Sequence, residues 1–184
     1  MRADAQANRD RLLVVAAVVL AEQGVDASMR DIARRAEVGL ATLLRHFPTR
    51  EALLEALLRT GFDELTARAA DAENTCSPQE ALMGWMREFV AFTTANHGVV
   101  TSMVKAIEEP ESALHASCVA LRAAGARLLT RAQGAGVART DVDGADLFAL
   151  VSAFAWLGDQ PGQEARAERL FDVVMGAVLT DRAV

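Results

Sequence analysis

Residues 27–56 read ASMRDIARRAEVGLATLLRHFPTREALLEA. Ser28 is a good N-cap residue, and Asp31 three positions on gives a near-capping-box arrangement. A helix over 28–36 then turns Met29, Ile32 and Ala33 to one side at helical spacing. Glu37-Val38-Gly39 forms a short turn, which Gly39 permits. A second short helix covers 40–47 and stops at Pro48, because proline cannot continue the hydrogen-bond ladder. Thr49 caps a longer helix through Leu54, Leu57, Leu58, Phe62 and Leu65, reaching about residue 72. Ile32, Ala33, Ala36, Val38, Leu43 and Phe47 would form the small core that fixes the two short helices at their angle.

Outward from this stretch the pattern stays helical. A first helix over about 8–23 carries Leu13, Ala16, Ala17 and Leu20 on one face and stops at Gly24. After the polar break Asn74 to Ser77, Ser77 caps and Pro78 takes the first helical position, where its missing N–H costs nothing. Further helices cover about 78–96, 99–108, 111–133, 143–156 and 163–179, for nine in all. The composition agrees: 52% of the 184 residues are apolar, Tyr is absent and only four are Pro. The expectation is an all-α chain of two parts, residues 1–60 and 61–184.

Charge is divided between those parts. Residues 1–60 carry a net +1 and residues 61–184 a net −7. Between Ala27 and Arg50, Arg30, Arg34, Arg35, Arg45 and Arg50 stand against Asp31 and Glu37. A basic head on an acidic body suits a DNA reader with a separate sensing part, although a solvated charged face would look the same. Cys76 and Cys118 are too few and too far apart for a disulfide framework, so a reducing compartment fits. The apolar run Leu12 to Leu20 is too short to span a bilayer. These features suggest a soluble cytoplasmic chain with no membrane partner.

Two short helices on a compact turn, the second with short exposed side chains and a basic end, is how a helix-turn-helix is built. The order DIARRA-x-V followed by ATL-x-RHFPTREAL resembles the DNA-binding domain of the TetR/AcrR family of transcriptional regulators, over roughly residues 9–60. The resemblance implies a nine-helix dimeric regulator, most commonly a repressor, that binds a double-stranded palindromic operator and releases it on binding a small-molecule effector. It assigns Ser28, Thr42, His46 and Arg50 to phosphate contacts, with Arg45 as a further one. It brings Arg30 to a base edge and turns Gly39, Leu40 and Ala41 to the groove. Leu44 stands where the family usually has Tyr, so only apolar contact is available there. Arg2, Arg9 and Arg11 are candidate N-terminal arm contacts. Taken singly, a histidine such as His46 is more often an ordinary surface or capping residue than a DNA ligand, and Arg34 and Arg35 face solvent.

In the C-terminal part, Trp85, Met86, Phe89, Phe92, Met103, Ile107, Cys118, Leu121 and Trp156 either line a ligand pocket or simply fill the core. A mainly apolar or aromatic ligand would suit the pocket. The last two helices are apolar on more than one face and need cover beyond one neighbour. The resemblance implies that they form a four-helix dimer interface, with Phe148, Val151, Phe154, Phe171, Val174, Met175 and Val178 as its candidate residues. His115 and Cys118 have a spacing suited to two ligands of a soft metal. No third ligand is fixed by spacing, so a buried Cys beside a surface His is the plainer reading and no metal or other cofactor is expected. Scattered histidines, and no Gly-rich phosphate loop or nucleophile elbow, argue against an enzyme.

Overall fold

The computed structural model describes residues 2–179, with side chains from residue 7 onward. The side chain of Arg2, named above, therefore lies outside the described residues. Within them the chain forms α1 (Arg2–Gln23), α2 (Met29–Arg35), α3 (Leu40–His46), α4 (Arg50–Thr75), α5 (Pro78–Ala95), α6 (His97–Ser102), α7 (Val104–Glu108), α8 (Ala113–Gly134), α9 (Gly144–Gly158) and α10 (Glu164–Val178). The described residues contain no strand, only one isolated antiparallel bridge between Ala138 and Leu179. Two departures from the sequence pattern concern boundaries. The first helix begins at Arg2 rather than near Asn8, and the expected sixth helix is two short ones broken at Met103.

The chain divides into two compact units. One holds the residues up to Thr60 together with Gly98–His115, and the other holds Gly61–His97 and the residues from Ala116 onward. A division drawn at residue 60 alone would leave Gly98–His115 with the C-terminal part. In the structure Gly98 instead lies against the Val25 side chain, 3.1 Å from where a Cβ would stand.

The N-terminal unit is organised by the apolar faces of its first helices. Leu12, Ala16 and Val19 of α1 are fully buried, as are Leu43 of α3 and Leu58 of α4, with Ile32 and Phe47 almost so. Ser28 caps α2 by accepting the Arg30 N–H at 3.2 Å. Asp31 does not complete the box. Its carboxylate takes the Gln23 amide at 2.8 Å and the Arg34 guanidinium instead. The turn after α2 also differs from its sequence reading. Gly39 has φ −69° and ψ 146° and serves as the extended N-cap of α3. The left-handed residue is Glu37, with φ 56°. Val38 N–H donates to the Ala33 carbonyl at 3.0 Å and Glu37 N–H to that of Arg34 at 3.1 Å. This is the Schellman pattern, which usually places Gly at the left-handed position. The end of α8 shows the same pair of bonds, from Val137 to Ala132 and from Gly136 to Gln133, with Gly136 at φ 71°.

The C-terminal unit packs α5 and α10 on α9. Ser77 and Glu80 form a full capping box at the start of α5, and Asp143 with Asp146 does the same for α9. Trp85 is buried, and its indole N–H donates to the Leu65 carbonyl at 3.0 Å. Its ring lies against α8 at Gly125, where a Cβ would come within 2.6 Å of the indole. Phe89 continues the cluster, with ring centroids 5.3 Å from Trp85 and 5.0 Å from Phe148. Among the described residues no helix is long and apolar enough to cross a membrane.

Candidate nucleic-acid interface

The face of α3 away from the core is the centre of the candidate interface. Leu43 and Phe47 point inward, Leu40, Thr42 and His46 are half-buried, and Gly39, Ala41, Leu44 and Arg45 are exposed. Leu44 is 38% exposed, an apolar side chain left open to solvent at the middle of the helix. Ser28 and Arg30, at the start of α2, are exposed as well. Since the Ser28 oxygen accepts a backbone bond, its hydroxyl proton remains available as a donor.

The five arginines of the motif fall into three groups that their spacing does not distinguish. Arg30 and Arg45 are exposed, and among the described residues their side chains make no hydrogen bond or ion pair. Arg34 is paired with Asp31, and Arg35 with Glu22 at 2.5 Å. The Arg34 bond, followed by that of Gln23, holds the Asp31 carboxyl below its ordinary range. Arg50 is half-buried, and its Nη1 donates to the Val25 carbonyl at 2.5 Å, tying the start of α4 to the turn after α1.

Arg9 and Arg11 of α1 are braces in the same sense. Arg11 Nη2 donates to the Ala36 carbonyl at 3.2 Å, and the Arg9 guanidinium lies 5.2 Å from the centroid of the Phe47 ring. Asn8 reaches His46 Nε2 at 3.4 Å. Among the described residues the interface therefore presents two unpaired cations, the hydroxyls of Ser28 and Thr42 and a short apolar patch. This chemistry can meet phosphates, a base edge and thymine methyl groups.

Most of the candidates in the C-terminal part fill the interior, one of their two sequence readings, and Trp156 does not. Trp85, Met86, Phe89, Cys118 and Leu121 are buried and Phe92 is half-buried against Phe62, ring centroids 5.8 Å apart. Met103 and Ile107 belong to the other compact unit. Trp156 is 58% exposed on α9, so it is not an interior residue. None of these nine lines either described cavity. One cavity is a groove of 580 Å³ between α5 and α10, with Gly158 at its end. The other, of 560 Å³, runs between α8 and α9 beside Phe148.

Five of the seven dimer candidates lie on the inward side of their helices, and Phe148 and Val174 are half-buried. Val151, Phe154, Phe171, Met175 and Val178 are buried within the chain, and Phe154 stacks edge-on against Phe171 at 5.5 Å. The exposed stripe of the same helices holds Ala149, Ser152, Ala153 and Trp156 on α9, and Leu170, Val173, Gly176 and Ala177 on α10. Large apolar residues drew the sequence reading to the core side. The small exposed residues at helical spacing lie on the opposite side. Among the described residues no three His, Cys, Asp or Glu side chains gather as a metal site. His115 Nδ1 lies 2.8 Å from the Ile107 carbonyl.

Comparison with known proteins matches residues 12–57 to the model of bacterial regulatory proteins of the tetR family. Residues 77–177 match that of the SbtR-like transcriptional regulator C-terminal domain. The chain is similar to the HTH-type transcriptional repressor KstR2 of Mycobacterium tuberculosis, 40% identical over 86 residues, which are 45% of this chain and 43% of that one. The match thus spans less than half the length of this curated relative. Among solved structures, a TetR transcriptional regulator from Streptomyces coelicolor superposes with TM-score 0.76 at 35% identity, covering 93% of this chain and 98% of its own. A TetR transcription regulatory protein from Mycobacterium vanbaalenii gives 0.75 at 34%, covering 97% and 99%.

Proposed function

The chain belongs to the TetR family of bacterial regulatory proteins, and we propose that it is a cytoplasmic, sequence-specific DNA-binding transcriptional repressor rather than an enzyme. It acts as a homodimer on a palindromic operator and is released by a small, mainly apolar ligand. The observation that carries this reading is the exposed face of α3 with Arg45 on it, together with Arg30 at the start of α2, both without partners among the described residues. Two such heads about 34 Å apart would meet successive major grooves of one duplex face. Arg30 is the proposed base reader. Ser28, Thr42, Arg45, His46 and Arg50 are the proposed phosphate contacts, and Gly39, Leu40, Ala41 and Leu44 approach the groove.

The proposed effector site is the aromatic interior of the C-terminal unit, around Trp85, Met86, Phe89, Phe92, Cys118 and Leu121, whose packed side chains would have to part to admit a ligand. A ligand that favours the DNA-free arrangement must lower DNA affinity by the same coupling energy, typically about 1–3 kcal/mol. The test is selection from a randomised duplex pool, followed by titration of the enriched sequence at several salt concentrations. Recovery of a palindrome bound by two chains is the expected result. A pool that shows no enrichment, or binding of one chain per site, would remove the reading.

A further inference from the structure

We propose that the groove between α5 and α10 is a binding site for a hydrophobic organic cation, an amine carrying an alkyl or aryl body. Its 580 Å³ falls within the span of small-molecule sites, about 300–1,000 Å³. Val90, Ala91, Ala95, Ala167 and Phe171 supply apolar lining. The one hydroxyl there, Thr94 Oγ1, is spent on the Val90 carbonyl at 2.9 Å. The lining thus offers an apolar ligand body no polar recognition of its own.

Charge decides the rest. Glu164, Glu168 and Asp172 recur every fourth residue, so they share one face of α10, and all three line the groove. Asp172 is met by Arg87 Nη2 at 2.8 Å, and the same guanidinium lies 5.8 Å from the Phe171 ring centroid. Glu164 stands in the first turn, where the helix dipole favours a carboxylate. Glu168 has neither compensation. It lies one turn from a like charge on either side, and among the described residues it makes no ion pair. Like charges at this spacing repel. An anion entering the groove meets that repulsion, and a neutral molecule gains only the apolar contact. An organic cation gains the contact and the unmet charge together.

The proposal concerns binding alone and does not depend on the DNA reading, which the duplex titration tests separately. The test is isothermal titration calorimetry of the full chain at low salt with decylammonium and with decanoate, two probes of equal chain length and opposite charge. Decylammonium is expected to bind about tenfold or more tightly than decanoate. Glu168→Gln should weaken decylammonium by about two- to fivefold, the range of one exposed charge pair, and leave decanoate no weaker. Ala91→Trp, at an exposed position lining the groove, should abolish binding with an unchanged circular dichroism spectrum. Ala95→Trp, also exposed, serves the same purpose should Ala91→Trp fail to fold. Equal affinity for both probes, no binding of decylammonium, or undiminished binding in a folded groove-filling variant would each overturn the proposal.

Discussion

Arg30 and Arg45 are both exposed and unpaired among the described residues, yet the proposed roles give them different signatures. Loss of a phosphate contact lowers affinity for every duplex alike and reduces the slope of log K against log salt by about 0.9. Loss of a bidentate base contact costs about 1–3 kcal/mol and relaxes preference at one position. Arg45→Ala should therefore flatten the salt dependence without changing the preferred sequence, and Arg30→Ala should broaden that sequence; selection and titration of both variants separate the roles. Arg50 is a different case. Its bond to the Val25 carbonyl crosses 25 residues of chain, so the sequence marked it as cationic without revealing the brace. Glu37 was hidden for a similar reason. The short turn was legible, but the Gly in it drew the special conformation to the wrong residue. Since left-handed φ costs a residue with a Cβ roughly 1–2 kcal/mol and glycine entropy returns about 0.5–1, Glu37→Gly should stabilise the N-terminal unit by about 0.5–1 kcal/mol. A rise in the urea midpoint checks it, and a fall would show that the Glu37 side chain contributes more than its strain costs.

At the level of elements the caps were legible because they depend on neighbours within four residues. Ser77-Pro78 announced α5, and the structure adds the reciprocal half. Ser77 donates its hydroxyl to Glu80 Oε2 at 2.6 Å and its N–H to the same oxygen at 3.1 Å. These bonds, the side-chain one first, hold the Glu80 carboxyl below its ordinary range. A carboxyl whose pKa is depressed by folding stabilises above its unfolded value, about 4.3. That contribution disappears as pH falls through the lower folded value. Glu80→Gln should accordingly be less stable than the parent at pH 7, and urea midpoints of the two should converge toward pH 3. Contacts between helices were not legible in the same way. Gly125 reads as a helix-weakening residue, and Ala would ordinarily gain up to about 1 kcal/mol there. The Trp85 ring occupies the space, fixed by its bond to Leu65 and by Phe89. Gly125→Ala should therefore destabilise by about 1–3 kcal/mol, the usual cost of overpacking. A thermal melt that rises instead would mean that the indole can shift.

For the molecule as a whole, the acidic body and the basic motif were readable from charge alone, but the side of the last two helices that stays exposed was not. Apolar residues on α9 and α10 exceed one stripe, and hydrophobicity could not tell the stripe facing α5 from the stripe facing outward. The structure separates them. Val151 and Met175 are buried within the chain, whereas Val173 is 68% and Trp156 58% exposed, with Ala153, Gly176 and Ala177 beside them. Small residues let a partner's backbone approach closely, and Trp156 and Val173 supply area to bury. A stable interface of this kind removes about 800 Å² per partner. Val173→Glu places a charge in that surface without touching the core, so it should yield folded monomers, with an unchanged helical spectrum and half the mass by light scattering. Operator affinity should fall with it. Two linked heads exceed one by about 10²–10⁴ through effective concentration, and a monomer keeps only the single head. Val151→Ala is the complement. It removes two buried methyl groups on α9 and should lower the melting temperature while leaving a dimer at working concentration. If Val151→Ala dissociated the protein and Val173→Glu did not, the interface would lie on the core-side residues that the sequence alone suggested.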